Sequence, residues 1–252
     1  MASERDLMGG LAKGLKVIEA FSADHPRLSI SQAADIAGLD RATTRRCLLT
    51  LSELGYAAYD GKYFTVTPKV LRLGTGCLAT MPLPRIVQPL LDQLSERIGQ
   101  STSVSILDET EIVYVARAAQ RRVMSIALMP GSRLPAYCTS MGRVALAALV
   151  VEERRRILTM SHFEARTPRT ITDIEVLMAE LEATSIRGFA LIDQEVEMGL
   201  RSIAVPLRNV RRQTVAALNV GVPATAASME ELVENYLPAL LGVQSELGRM
   251  LV

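Results

Sequence analysis

A pair of short, capped helices between residues 28 and 66 constrains the fold more than any other feature of this chain. Ser29 can cap the first helix, and Gln32, three positions later, completes a capping box. Gly38 tolerates the positive φ that often follows a helix end, and Asp40 can cap the second helix. The spacing predicts a helix-turn-helix with its turn residues in place.

The second of these helices separates apolar from polar side chains. Its inner face is formed at i, i+3 and i+4 spacing by Thr44, Cys47, Leu48, Leu51 and Leu54. Arginines and threonines face outward, and their side chains can bond base edges in the major groove or phosphates. We therefore predict that the motif contacts double-stranded DNA. The predicted contacts on its two helices are Ser31, Arg41, Thr43, Arg45, Arg46 and Thr50.

A β-hairpin is predicted directly after this helix. Residues 56–59 and 63–66 favour strands, and Asp60-Gly61 provides the turn. Lys62 at the tip would then touch a phosphate. The arginines could instead form an ordinary solvated face, as in winged helices that bind only protein. The fold context favours DNA, because a basic helix face alone is a weak signal.

The composition adds no independent sign of nucleic-acid binding. The chain has 252 residues and a net charge of +1, so any basic surface must be local. A monomer so weakly charged would bind DNA poorly, and we expect a homodimer. The three cysteines are far apart and form no C-x-x-C pair, which suggests a reducing cytoplasm. Since no signal peptide or apolar run of about 20 residues is present, we expect a soluble cytoplasmic protein without membrane contact.

The pattern predicts two domains joined by a helix. Residues 1–67 form the winged helix-turn-helix, 68–84 a linker helix, and 85–252 an α+β domain with an antiparallel sheet. The expected strands of that domain lie at 102–107, 111–117, 123–128, 189–193, 202–207 and 214–221. Its expected helices lie at 85–98, 139–149, 151–158, 172–185 and 229–251.

Two further helices have a predicted inner stripe. A helix at 10–21 precedes the helix-turn-helix and would pack through Leu11, Leu15, Ile18 and Phe21. The helix at 85–98 would pack through Ile86, Leu90, Leu94 and Ile98.

Two further segments carry a family resemblance. They are GSRLPAYCTSMGRVALA at 131–147 and DQEVEMGLRSIAVP at 193–206. With the helix-turn-helix, they resemble the IclR family of bacterial transcriptional regulators over essentially the whole chain. LPAYCTSMGRVALAAL and DGKYFTVTPKVLRLG are most similar to the subgroup that controls protocatechuate, 4-hydroxybenzoate and β-ketoadipate catabolism.

The resemblance implies a GAF-like effector domain, a homodimer on operator DNA that can pair into a tetramer, and a small carboxylate or aromatic acid as effector. It also implies effector contacts at Val123, Ser125, Thr139, Ser140, Met141, Asp193, Glu195, Ser202 and Asn219. The predicted helix start near Thr139 offers free N–H groups and a positive dipole end, which suit a carboxylate.

Three aspects of this site are open at the level of the sequence. Family members that bind keto acids have small residues where Ser140 and Met141 stand, so Met141 favours an aromatic ring, although it could equally fill core space. Tyr137 could add a hydroxyl contact. Arg133 and Arg201 could add a charge partner, or could be solvated or interface residues.

An enzyme is the main rival class of function. Cys138, His162 and Asp173 are the residue types of a nucleophilic triad, yet no nucleophile elbow or protease signature surrounds them. The two histidines lack ligand spacing, so we expect neither a metal nor another cofactor. A regulator that senses an aromatic acid is the favoured function. Alternatives are a sensor of a keto acid or other metabolite, and a module that binds only protein.

Overall fold

The computed structural model describes residues 6–22, 24–120 and 128–251, without the side chains of residues 77–79. Contacts divide the chain into two units, Met1–Met81 and Pro82–Val252. Within the described ranges, no helix is long and apolar enough to cross a membrane.

The first unit is a winged helix-turn-helix, as predicted. Its elements are α1 (Gly9–Glu19), α2 (Ile30–Ala37), α3 (Arg41–Glu53), β1 (Ala57–Tyr59), β2 (Phe64–Val66), a 3₁₀ turn (Pro68–Val70) and α4 (Leu71–Thr80). The capping box forms, since Gln32 N donates to Ser29 Oγ and Ser29 N donates to Gln32 Oε1 at 3.0 Å. Gly38 has φ 62° and Asp40 Oδ1 accepts from Thr43 N at 2.8 Å. These local bonds fix the angle at which α3 leaves the turn.

The core of this unit is small, and its first helix packs differently from the prediction. Val17 of α1 and Ala20 at its C-cap are buried, whereas Leu11 and Leu15 are exposed. The predicted stripe was therefore wrong in its N-terminal half. The reason is that only the C-terminal part of α1 packs against the core around Leu48.

The second unit is an α+β domain built on one sheet, which confirms the predicted fold class. Its strands are β3 (Ser101–Asp108), β4 (Glu111–Ala118), β5 (Arg133–Pro135), β6 (Ala190–Asp193), β7 (Leu200–Arg208) and β8 (Thr214–Pro223). Its helices are α5 (Pro82–Ile98), α6 (Ser140–Ala147), α7 (Val151–Met160), α8 (Ile174–Arg187) and α9 (Met229–Leu247). The strand order is β5-β4-β3-β8-β7-β6, and neighbouring strands are antiparallel.

Helices cover both faces of this sheet. Thr102 of β3 donates its hydroxyl to Leu91 O, so α5 lies on that face, and α9 contacts both α5 and β7 there. Residues paired across an antiparallel ladder share a face, which places Ser103, Ser202 and Asn219 on the opposite side, under α6. All eight residues of α6 are buried between the sheet and α8. The start of α6 is thereby held over the middle of the sheet.

Several predicted elements of this unit need correction. Helix α5 begins at Pro82, because proline is tolerated in a first helical turn. Of its predicted stripe only Leu94 is buried, and Leu83, Val87 and Leu91 complete the buried face. The short strand β5 was not predicted, and α9 ends at Leu247. The predicted strand at 123–128 falls almost wholly outside the described residues.

Candidate functional site

The N-terminal half of α3 presents a cationic surface. Arg41, Arg45 and Arg46 are exposed, and none forms an ion pair with an acidic side chain of the described ranges. Asp40 is occupied with capping the helix, and its hydrogen bond from the Thr43 amide lowers the pKa of its carboxyl. The guanidinium groups are therefore free to meet phosphates or guanine edges.

The other predicted contacts of this unit lie to one side of that surface. Thr43 and Thr50 line a groove between α3 and α1 that Arg46 also borders, and Thr50 donates its hydroxyl to Arg46 O at 2.8 Å. Ser31 is half-buried on α2. The three arginines are consequently the better-placed contacts.

The hairpin tip adds a second cationic group that includes a residue the sequence reasoning missed. Asp60 Oδ1 accepts from the Lys62 and Tyr63 amides, which fixes the turn and lowers the pKa of Asp60. Lys62 Nζ lies 5.1 Å from the Tyr63 ring centre, and Arg27 Cζ lies 4.9 Å from it. Arg27 precedes Leu28, which bridges to Phe64 of β2. Its position before that bridge is the signal that could have found it.

A cleft opens at the N-terminal end of α6 in the second unit. Five of the predicted effector residues line it: Thr139, Ser140, Met141, Ser202 and Asn219. Thr139 Oγ1 caps α6 by accepting from Gly142 N at 3.1 Å, and Ser202 donates its hydroxyl to Ser140 Oγ at 2.9 Å. The first N–H groups of a helix have no partner within it. This end of the cleft can therefore attract an anion.

The structure places the other predicted effector residues away from the cleft. Tyr137 donates its hydroxyl to Glu164 O at 2.7 Å, and Glu195 Oε2 accepts from Arg143 Nη2 at 2.6 Å in a buried ion pair. Asp193 pairs with Arg201 at 2.6 Å and also with Arg169. Partial burial acts to raise the pKa of Asp193, but its hydrogen bonds and the two arginines have the larger combined effect, so the pKa lies below its ordinary value.

The contacts of Tyr137, Glu195 and Asp193 instead connect segments of the chain that are distant in sequence.

Val123 and Ser125 lie outside the described residues. Arg133, the other arginine considered, pairs at the surface with Asp108 and Glu111 at 2.7 Å each.

Two residues of β4 that the sequence reasoning missed face the cleft. Burial raises the pKa of Tyr114 to about 12, so its phenol is neutral at physiological pH. Arg117 Nη1 donates to Ser103 Oγ at 2.9 Å, and burial lowers the pKa of this guanidinium. An arginine within the apolar run EIVYVARA was a usable signal, since charged residues rarely enter strands buried on both faces.

The cleft is nearly closed in this structure. The space between its walls is about 30 Å³, whereas pockets that hold drug-sized molecules measure about 300–1,000 Å³. Binding of anything larger than a few atoms therefore requires the walls to move apart. Val196, in the β6–β7 loop, and Leu200, the first residue of β7, form part of these walls.

The residues of the rival catalytic triad are poorly suited to catalysis. Cys138 is fully buried, and burial raises the pKa of its thiol to about 12, so it is not the thiolate that attacks substrates. His162 is exposed, and Asp173 caps α8 by accepting from Val176 N. Over the described residues, no group of three or more His, Cys, Asp or Glu side chains is arranged to hold a metal ion.

Comparison with known proteins identifies both units. Residues 10–61 match the IclR helix-turn-helix domain, and residues 75–247 match the bacterial transcriptional regulator IclR C-terminal domain. The Pca regulon regulatory protein of Pseudomonas putida is 42% identical over 98% of this chain and 85% of its own length. These matches agree with the pathway subgroup that the sequence resembles.

Solved structures share the fold of this chain or of its second unit. A transcriptional regulator from Rhodococcus sp. RHA1 is 43% identical, with a TM-score of 0.78 over 96% of this chain and 97% of its own. The inducer-binding domain of Acinetobacter PobR, solved as a double mutant with 3-hydroxybenzoic acid, is 32% identical, with a TM-score of 0.63 over 67% of this chain and 98% of its own. The chain therefore belongs to the IclR family of bacterial transcriptional regulators.

Proposed function

We propose that this chain is a cytoplasmic, non-enzymatic regulator that binds operator DNA as a homodimer able to pair into a tetramer, and that it controls genes of aromatic-acid catabolism. The observation that carries the DNA-binding half is the arginine face of α3, exposed and outside any ion pair among the described residues. Recognition helices dock in the major groove through such N-terminal residues. Lys62 and Arg27 would contact the flanking backbone.

The effector is an aromatic carboxylate held in the cleft at the start of α6. The helix end favours an anion, and the flexible thioether of Met141 suits a flat ring. Two relatives support this class: the Pseudomonas putida protein is named for the Pca regulon, and the PobR domain was solved with 3-hydroxybenzoic acid.

The two activities are coupled through the segment between them. We assign residues 1–67 to DNA binding, 68–84 to a linker and 85–252 to effector binding and oligomerisation. Effector binding would change the spacing of the two α3 helices of a dimer on a palindromic operator. The resulting change in operator affinity is the coupling free energy between the effector site and the DNA-binding site.

Operator binding by single variants tests the first half. Arg45→Ala and Arg46→Ala should each weaken binding and reduce its salt dependence, since fewer counterions are released, while effector affinity persists. Arg249→Ala, an exposed arginine of the second unit, is the matched control. Normal DNA affinity in both α3 variants would mean that the arginines form only a solvated face. If the affinity of the unsubstituted chain for DNA did not fall with salt, the alternative of a winged helix that binds only protein would be favoured.

A thermal-shift screen of the full chain tests the second half, because a ligand that binds only the folded state raises its melting temperature. The panel is protocatechuate, 4-hydroxybenzoate, β-ketoadipate, shikimate, pyruvate and glyoxylate. We expect a selective shift with an aromatic acid. The closed cleft of about 30 Å³ favours one second candidate, a small keto acid. A shift with pyruvate or glyoxylate alone would replace the aromatic assignment with that one.

A further inference from the structure

Arg117 carries a charge that the described part of the chain does not balance. Its guanidinium lines the cleft and is half-buried, and Ser103 Oγ is a neutral partner. The ion pairs of the described ranges leave Arg117 out, and the neighbouring ionisable group that acts on it is the Tyr114 phenol. A partly desolvated charge without a counter-ion is unfavourable unless something else pairs with it.

The arginines around this site differ from Arg117 in that respect. Arg143 meets Glu195 at 2.6 Å, Arg201 meets Asp193 at 2.6 Å, and Arg133 meets two surface carboxylates. Arg117 stands directly across the β3–β4 ladder from Ser103, and Ser103 stands across from Asn219 of β8. A row of polar side chains therefore crosses the sheet floor, with the cation at one end.

Two more polar side chains of the cleft are unpaired within the described residues, unlike Thr139, Ser140 and Ser202. Neither the Tyr114 hydroxyl nor the side-chain amide of Asn219 makes a hydrogen bond with the described residues, although Tyr114 is buried and Asn219 half-buried. Ser105, which faces Tyr114 across the ladder, has a buried hydroxyl without a hydrogen-bond partner in the described ranges. Met141 and Leu200 supply apolar walls. Buried polar groups are normally satisfied, so a ligand with matching polar substituents is expected here.

We propose that Arg117 is the ion-pair partner of the effector carboxylate, and that Tyr114 and Asn219 bind a hydroxyl group on the effector ring. The inference rests on the proposed effector class and narrows it to a hydroxylated aromatic monocarboxylate. Ser103 is a positioning residue, because its hydroxyl holds the guanidinium. The start of α6 adds its dipole, while Arg117 supplies the full charge and a planar fork that matches a carboxylate.

Calorimetric titration of the full chain with a matched pair of ligands tests the charge. The pair is 4-hydroxybenzoate and 4-hydroxybenzamide, which differ in the charged group and keep the ring and hydroxyl. We expect the unsubstituted chain to prefer the acid by about 30-fold or more, the lower range for one partner of a desolvated charge pair. Arg117→Met should lose that preference by weakening only the acid, and Arg117→Lys should keep part of it. Arg133→Met, at the surface, should keep all of it.

Each outcome separates the assignment from the broader function. If the unsubstituted chain binds the acid and Arg117→Met keeps the preference, the Arg117 assignment fails while the effector class stands. If the unsubstituted chain binds none of the aromatic acids, the effector class and this inference both fail. Should Arg117→Met not fold, Ser103→Ala decides the matter: it should weaken the acid by about tenfold and leave the amide unchanged, and equal weakening of both would refute the ion pair.

A second ligand pair tests the hydroxyl contacts. Tyr114→Phe and Asn219→Ala should narrow the difference in affinity between 4-hydroxybenzoate and benzoate, by weakening the former. An unchanged difference in both variants would place the ring hydroxyl elsewhere.

Discussion

Replacing Gly142 with alanine should destabilise the second unit and displace the start of α6. A Cβ at this position would lie 2.2 Å from Ala136 O, 2.4 Å from Ala136 Cα and 2.6 Å from Ala136 C. Ordinary contact begins at 3.4 Å. The helix and the residue 136 turn must therefore separate by about 1.2 Å, the difference between 3.4 and 2.2 Å. All three clashing atoms are backbone, so no side chain can rotate away.

The sign of the effect follows from two opposing magnitudes. Alanine improves helix propensity by about 1 kcal/mol over glycine. Over-packing a filled core costs about 1–3 kcal/mol and occasionally more, and a backbone clash belongs at the upper end. We expect a net loss of about 2 kcal/mol, or a drop in melting temperature of roughly 4–8 °C for a unit of this size.

Chemical denaturation followed by circular dichroism measures this loss, with two transitions allowed for the two units. Gly242→Ala is the matched control, because that glycine is also helical and its added Cβ meets no described atom within 4 Å beyond the adjacent backbone of its own helix. It should be neutral or stabilising by up to about 1 kcal/mol. If Gly142→Ala were as stable as Gly242→Ala, the close packing of α6 on the turn would be refuted.

Three other perturbations have expected outcomes. Met141→Ala should weaken aromatic acids relative to small keto acids in titrations; unchanged affinity and selectivity would show that Met141 only fills the core. The pKa of Asp40 lies below its ordinary value of 3.8, so its stabilisation of the folded state is present above that pH and lost as the pH falls through the depressed value. Asp40→Asn should flatten this acid dependence in equilibrium unfolding, and an unaltered profile would assign it to other carboxyls. Burial raises the pKa of Cys138 to about 12, so iodoacetamide at pH 8 should label it only after unfolding, as peptide mass spectrometry can show.

Local signals in the sequence were sufficient for the helix-turn-helix. Caps and turns depend on residues within four positions of each other, and Ser29, Gln32, Gly38 and Asp40 all adopt their predicted roles. The start of α6 at Thr139 follows from the same kind of signal. In these parts of the fold, the local preferences of neighbouring residues agree with the final structure.

Helix faces were harder to predict than helix positions. In α5, two neighbouring stripes of Ile, Val and Leu both satisfy helical spacing, and the sheet selects the one with Val87 and Leu91. In α1, the leucines of the first turns have no core to enter. Tertiary packing determines which face of each helix is buried, so the periodicity of one helix does not predict that face.

The candidate site depends most on contacts between distant residues. Arg169 reaches Asp193 across 24 positions, and Arg143 reaches Glu195 across 52. Sequence alone does not show that Asp193 and Glu195 form ion pairs outside the lining of the cleft, whereas the structure does. Arg117 was missed because the β3–β4 ladder shifts register after Val104. This bulge interrupts the strict alternation of side chains between the two faces of the sheet.

The small volume of the cleft has a consequence for the rate of binding. An effector can enter only while the walls at Met141 and Leu200 stand apart, so association is limited by how often they separate. The observed rate should then level off as effector concentration rises, and the measured dissociation constant should exceed the intrinsic one by the inverse of the open fraction. Substitutions that merely loosen these walls would change the concentration at which the regulator responds without touching any atom of the effector.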